Sequence, residues 1–157
     1  MDQDRSLREH LRKILDWEDA HVNLQRAIEG IPVALRGKVP RGDPHSAWQL
    51  LEHARICQRD ILDFCRPGYV EIPMEAYWPK TVAPPSTSAW SKSVAALRAD
   101  LAELKQMAED PGVDLFAKIP HGSGQTYLRE LLLVADHNAY HAGQIVALRK
   151  RLGAWKG

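Results

Sequence analysis

Two histidines stand four residues apart in the stretch His137-Asn138-Ala139-Tyr140-His141. On a helix, residues at that spacing lie one above the other on the same face, so both imidazoles can reach a single ion. Zinc proteases use the same spacing with a glutamate directly after the first histidine. Here that position is Asn138, so the general base is missing and the pattern argues against a protease of that kind. Two ligands seldom make a durable site. The third is sought in Trp48-Gln49-Leu50-Leu51-Glu52-His53, where His53 falls at the edge of an apolar helical stripe, one turn from Leu50 and from Cys57. Asp60 and Arg59, further along, are expected in solvent. His53, His137 and His141 together would leave at least one coordination position open, which is how catalytic zinc is held. Iron, nickel, manganese or cobalt accept the same nitrogens, and ligand type does not choose among them. Such an ion lowers the pKa of a bound water or thiol or polarises a carbonyl. The bland alternative for His53 is a half-buried histidine with one hydrogen-bond partner.

Other groups stand near enough in the pattern to be weighed. Glu52, Asp136 and Gln144 are candidates to orient the imidazoles, Gln144 lying one turn beyond His141. The alternative for each is ordinary helix-surface polarity, which is the expectation for Asp136. His21 sits between Leu15 and Val22, as a proton carrier at the site or as a rim histidine with a local hydrogen bond. His121 precedes a Gly-rich turn and either covers the open face of the site or belongs to the loop surface. Cys57 is either a thiolate ligand or a small buried apolar residue.

Four stretches of helical periodicity carry these residues. The first runs from about Ser6 to Glu29, with Leu7, Leu11, Ile14, Leu15, Val22 and Ile28, and ends at Gly30-Ile31-Pro32. The second opens near Asp43-Pro44-His45-Ser46, with Asp43 as its expected N-cap, and closes at Arg66-Pro67-Gly68. A third spans about Ser88 to Glu109, and a fourth about Gln125 to Leu152, with Gly153 placed to end it. The fourth is apolar around most of its girth before Arg149, as a central helix would be. About twenty residues containing Tyr69, Pro73, Tyr77, Trp78, Pro79, Pro84 and Pro85 separate the second and third helices. Its aromatics predict that it packs on the bundle, and its length permits a crossover. The expected fold is all-α: a four-helix bundle forming one domain over residues 1–157, with a long crossover-type loop between helices two and three.

Composition narrows the partners. Of 157 residues, 21 are Lys or Arg and 20 Asp or Glu, a formal net charge of +1. That balance advertises no nucleic-acid or membrane-surface binder; Arg149, Lys150 and Arg151 read as cations at a helix C-terminus. The charged start Met1-Asp2-Gln3-Asp4-Arg5 leads into no apolar segment of the kind a signal peptide or membrane span needs. Cys57 and Cys65, the only cysteines, are about 12 Å apart along one helix and cannot pair. Unpaired thiols predict a cytoplasmic protein.

The chain resembles the DinB/YfiT-like superfamily over nearly its whole length. The resemblance is carried by Pro44-His45-Ser46-Ala47-Trp48-Gln49-Leu50-Leu51-Glu52-His53 and by Ala135-Asp136-His137-Asn138-Ala139-Tyr140-His141-Ala142-Gly143-Gln144. Ile119-Pro120-His121-Gly122-Ser123-Gly124-Gln125-Thr126 and Tyr77-Trp78-Pro79 are also similar. It implies a four-helix bundle, commonly a homodimer, with one divalent metal ion held by His53, His137 and His141. It further implies a choice of roles. Relatives include thiol-dependent S-transferases and a maleylpyruvate isomerase, so the expectation is a metal-dependent enzyme activating a small-molecule thiol or water. The alternative is a non-catalytic, dimeric stress- or damage-response bundle whose metal is structural.

Overall fold

Leu7 and Leu11 form the apolar stripe of the first helix, and Leu15, just past its end, is buried with them. The computed structural model describes residues 3–156; Met1, Asp2 and Gly157, the first two belonging to the charged N-terminus, lie outside the described residues. Instead of one helix from Ser6 to Glu29 there are two, α1 (Gln3–Ile14) and α2 (Leu24–Ile28). Asn23 explains the break. Its side-chain oxygen accepts from Arg26 N at 2.8 Å, and its amide donates to the Asp16 carbonyl at 2.7 Å. A short polar side chain that bonds its local backbone this way caps a new helix rather than continuing an old one.

The later helices follow the expected periodicity closely: α3 (Ala47–Phe64), α4 (Ala89–Glu109) and α5 (Tyr127–Arg151). The cap of α3 is Ser46, not Asp43. Ser46 and Gln49 exchange side-chain and backbone hydrogen bonds in a capping box, while Asp43 is engaged by Arg151 at 2.7 and 3.0 Å. Thr126 caps α5, and Gly153, at φ +68°, takes the left-handed conformation that ends it. Two 3-10 turns, Val33–Leu35 and Met74–Tyr77, complete the helical elements. Lys118 and Thr126 form an isolated bridge, and there is no strand among the described residues.

Side-chain contacts fix the helix directions. Arg8 reaches the carbonyls of Ala108 and Asp110 while Asp16 meets Lys105, so α1 and α4 are antiparallel. Gln58 bonds the Leu97 carbonyl, Arg59 meets Asp100 and Arg66 meets Glu103, so α3 and α4 ascend together. Leu50 lies by Ala147 and Leu148, His53 by His141, and Cys65 near Glu130, so α5 runs against α3. Parallel neighbours need a return connection, and residues 65–88 supply it. Tyr69 and Tyr77 bind Asp60, Thr81 accepts from the Trp48 indole, and the Val82 carbonyl accepts from Ser46. The crossover therefore retraces α3 from its end to its start.

The core has two parts. Trp48, Leu51, Leu97 and Ile145 anchor one, and Leu62, Leu104, Leu115 and Leu131 the other. Each such fully buried leucine contributes about 1.5–3 kcal/mol relative to exposure. Between them, Gln58 donates to the Leu97 carbonyl and accepts from Asn138 at 2.8 Å, a polar bridge that satisfies the Gln58 amide and leaves Asn138 Oδ1 without a partner among the described residues. No helix among the described residues is long and apolar enough to cross a membrane.

Candidate metal centre

His53 enters the bundle from the middle of α3, and His137 and His141 face it from α5. The ring centroids of His53 lie 5.2 Å from His137 and 4.8 Å from His141, and those of His137 and His141 are 4.4 Å apart. The three residues that the sequence pattern singled out are therefore one cluster. Cys57, a turn beyond His53, joins it. Its Sγ is 3.6 Å from His53 Nδ1 and 3.7 Å from Nε2. Donor atoms of His53, Cys57 and His137 all lie within 4.8 Å of one another, a grouping that can hold a metal ion.

The outer nitrogens of two imidazoles are spoken for. His53 Nδ1 is 2.7 Å from the Tyr77 carbonyl, which can only accept, so Nδ1 carries the proton and Nε2 presents its lone pair. His141 Nδ1 is 2.7 Å from Gln144 Oε1, with the same consequence for its Nε2. That Nε2 is 3.1 Å from His137 Nε2. Two nitrogens bound to one tetrahedral zinc would stand about 3.3 Å apart, so the pair is already at ligand separation. His137 Nδ1 is buried without a partner among the described residues. Partnered outer nitrogens are what metal-binding histidines characteristically have, because they hold tautomer and ring direction.

Burial also sets the charge. His141 is only 4% exposed. Desolvation, reinforced by the neighbouring His137, lowers its pKa to about 4; desolvation and His53 bring His137 to about 4 as well. His53 is shifted down by burial, against a counteracting hydrogen bond that it donates to the Tyr77 carbonyl. Near pH 7 the imidazoles are neutral, the form that ligates. The Cys57 thiol moves the other way: burial, then Asp60, push it up to about 12. Without a cation beside it, Cys57 keeps its proton.

The crossover closes the site from outside. The Trp78 ring stacks on His53 at 3.9 Å with the planes 4° apart, and on its other side meets His45 at 3.9 Å and 19°. Neither Trp78 nor His45 was singled out as a neighbour of the histidines by helical spacing, since both lie outside the helices. The signal was the resemblance alone, in Tyr77-Trp78-Pro79 for Trp78 and in the stretch opening Pro44-His45-Ser46 for His45. Gln144 sits where the one-turn argument put it. Glu52 does not; it is held by Arg55 through two bonds of 2.9 Å. Asp60, expected in solvent, accepts from two tyrosines.

The remaining candidates are elsewhere. His121 binds the Phe64 carbonyl at 2.9 Å and stacks on Tyr69. His21 is exposed, with Nδ1 3.0 Å from its neighbour's carbonyl. His21 and Asp136 line a cavity of about 400 Å³ with Trp17, Ala135 and Ala139. At about 100° per residue, Ala135 and Ala139 point away from the histidine face of α5, so this cavity is not the approach to His137 and His141. A smaller cavity of about 130 Å³ is lined by His45, Gln144 and Arg151 and by none of the four cluster residues.

The family model described as the DinB superfamily matches residues 16–145, which includes all four cluster residues. Searches of curated proteins and of solved structures returned no match.

Proposed function

This chain belongs to the DinB superfamily, and from that premise we propose that it binds one divalent transition metal ion through His53, His137 and His141. The observation that carries the reading is the facing pair of Nε2 atoms, 3.1 Å apart, with His53 completing the ring of imidazoles. Zinc, nickel, iron and manganese all suit three neutral nitrogens. A bound ion with an open position would supply a Lewis acid that lowers the pKa of a water or a small-molecule thiol. The chain's own residues do the rest. Tyr77 and Gln144 hold two imidazoles in the ligating tautomer, and Trp78 keeps water off one face of His53. The activity proposed is S-transferase- or hydrolase-like.

Cys57 supports a second reading. Its sulfur lies inside the cluster, and three imidazoles plus a thiolate would close a tetrahedral sphere, which is the structural kind of zinc site. The protein would then be a non-catalytic bundle steadied by its metal. Titrating untagged parent and a Cys57→Ala variant with zinc and nickel separates the two. The enzyme reading expects both to bind one equivalent, with a thiol or water exchanging at the ion. Loss of binding in Cys57→Ala favours the closed site.

Two further features belong to this proposal. Buried, unpaired Cys57 and Cys65 fit a reducing compartment such as the cytoplasm. The exposed Leu132 and Tyr140 on α5 fit the face of a homodimer, which sedimentation would detect as twice the chain mass.

A further inference from the structure

Asp60 is two turns from His53 on α3 and touches no imidazole, yet it holds the segment that does. Its Oδ2 accepts from the Tyr77 hydroxyl at 2.7 Å and its Oδ1 from the Tyr69 hydroxyl at 3.1 Å. Both tyrosines belong to the crossover, one on each side of Pro73. The two bonds differ in what lies behind them. Tyr77 is the residue whose backbone carbonyl accepts from His53 Nδ1 at 2.7 Å, and the next residue, Trp78, stacks on the same imidazole. Tyr69 instead stacks on His121 and meets Phe64, away from the cluster.

We propose that Asp60 is a positioning residue for the metal centre: through the Tyr77 hydroxyl it anchors the crossover so that the Tyr77 carbonyl fixes His53 in the Nδ1–H tautomer. The inference rests on the metal-binding reading above, but its first link, the tautomer, exists without metal.

The physical reasoning is short. A carbonyl on a loop orients an imidazole only as well as the loop itself is held. The 3-10 turn Met74–Tyr77 is four residues long and has no side-chain cap, so its own hydrogen bonds hold it weakly. A carboxylate accepting from a phenol makes a charge-assisted bond, stronger than a neutral one. Burial and the same carboxylate shift the Tyr77 hydroxyl upward and bring the Tyr69 hydroxyl to about 12, so both stay protonated donors across the neutral range. With the anchor gone, the carbonyl drifts, the proton on His53 redistributes between its nitrogens, and Nε2 presents its lone pair only part of the time.

The test compares two single-atom deletions on one carboxylate. Tyr77→Phe and Tyr69→Phe each remove a hydroxyl and keep the ring and backbone. Zinc and nickel affinities are read by competition with a chromogenic chelator, and the His53 tautomer by nitrogen-15 NMR of metal-free protein. Tyr77→Phe and Asp60→Ala are expected to weaken metal binding about tenfold, the low end for a group that orients a ligand, and to give a mixed His53 tautomer. Asp60→Asn keeps an acceptor for Tyr77 and is expected to restore most of the affinity. Tyr69→Phe is expected to match the parent in both readouts. A tautomer and affinity unchanged in Tyr77→Phe, or equally changed in Tyr69→Phe, would overturn the proposal. Should the parent itself bind no metal, the metal reading fails, and the tautomer comparison still decides whether Asp60 and Tyr77 fix His53.

Discussion

Arg8 and the histidine pair are both polar groups sunk in the same bundle, and they are finished in opposite ways. Arg8 Nε meets Asp4 at 2.8 Å, and its two terminal nitrogens reach the carbonyls of Asp110 at 2.7 Å, Val113 at 2.8 Å and Ala108 at 3.3 Å. The cation sits at the C-terminal end of α4, where free carbonyls and the helix dipole favour positive charge. In the histidine pair His141 is partnered through Gln144 and His137, and the open valence is on His137. Their Nε2 atoms face each other, and His137 Nδ1 has no partner among the described residues. Arg8, with four hydrogen bonds, holds the end of α4; the histidine pair, with two Nε2 atoms at ligand separation and one unpartnered nitrogen, suits the cation proposed above.

That contrast breaks most cleanly by swapping mutations. His141→Ala removes one of the two facing nitrogens and is expected to abolish stoichiometric metal binding, read by elemental analysis. Arg8→Ala is expected to do the converse: metal content unchanged, and unfolding free energy lowered by about 2–4 kcal/mol in urea, because several carbonyls lose their donor. If Arg8→Ala emptied the site, or His141→Ala kept its metal, the distinction would not hold.

Acid sharpens the same comparison. His137 and His141 have folded pKa values of about 4, below the unfolded value near 6.5. Between these the unfolded chain binds more protons than the folded one. The stability of metal-free protein is therefore fully present above pH 6.5 and is lost as pH falls through that window to about 4. Urea midpoints across this range should fall more steeply for the parent than for a His137→Ala, His141→Ala double variant. The smallest effect is expected from Cys57→Ser, which leaves metal content unchanged if the three imidazoles suffice.

The sequence made the helical half of this legible. Four-residue spacing put His137 and His141 on one face, the same argument put Gln144 beside His141, and the edge of the α3 stripe marked His53. It misjudged places where a side chain's partner lies outside its own helix. Nothing local says that Asp60 will meet Tyr69 and Tyr77, or that Trp78 will lie between His45 and His53. Glu52 is different: Arg55, three residues on along the same helix, was a local signal that went unweighed. Even the crossover was readable only as a possibility, since its length permits a parallel α3 and α4 without requiring it. The break after Ile14 was the opposite case: Asn23 and Asp16 are local signals, outvoted by an apolar periodicity that continues across them.

The most direct test of the central claim is the metal content of untagged protein beside its His53→Ala variant, both supplied with zinc, nickel, manganese and iron. One equivalent in the parent and little in the variant is the predicted result. No metal in either would contradict the account and leave the histidines as a structural cluster.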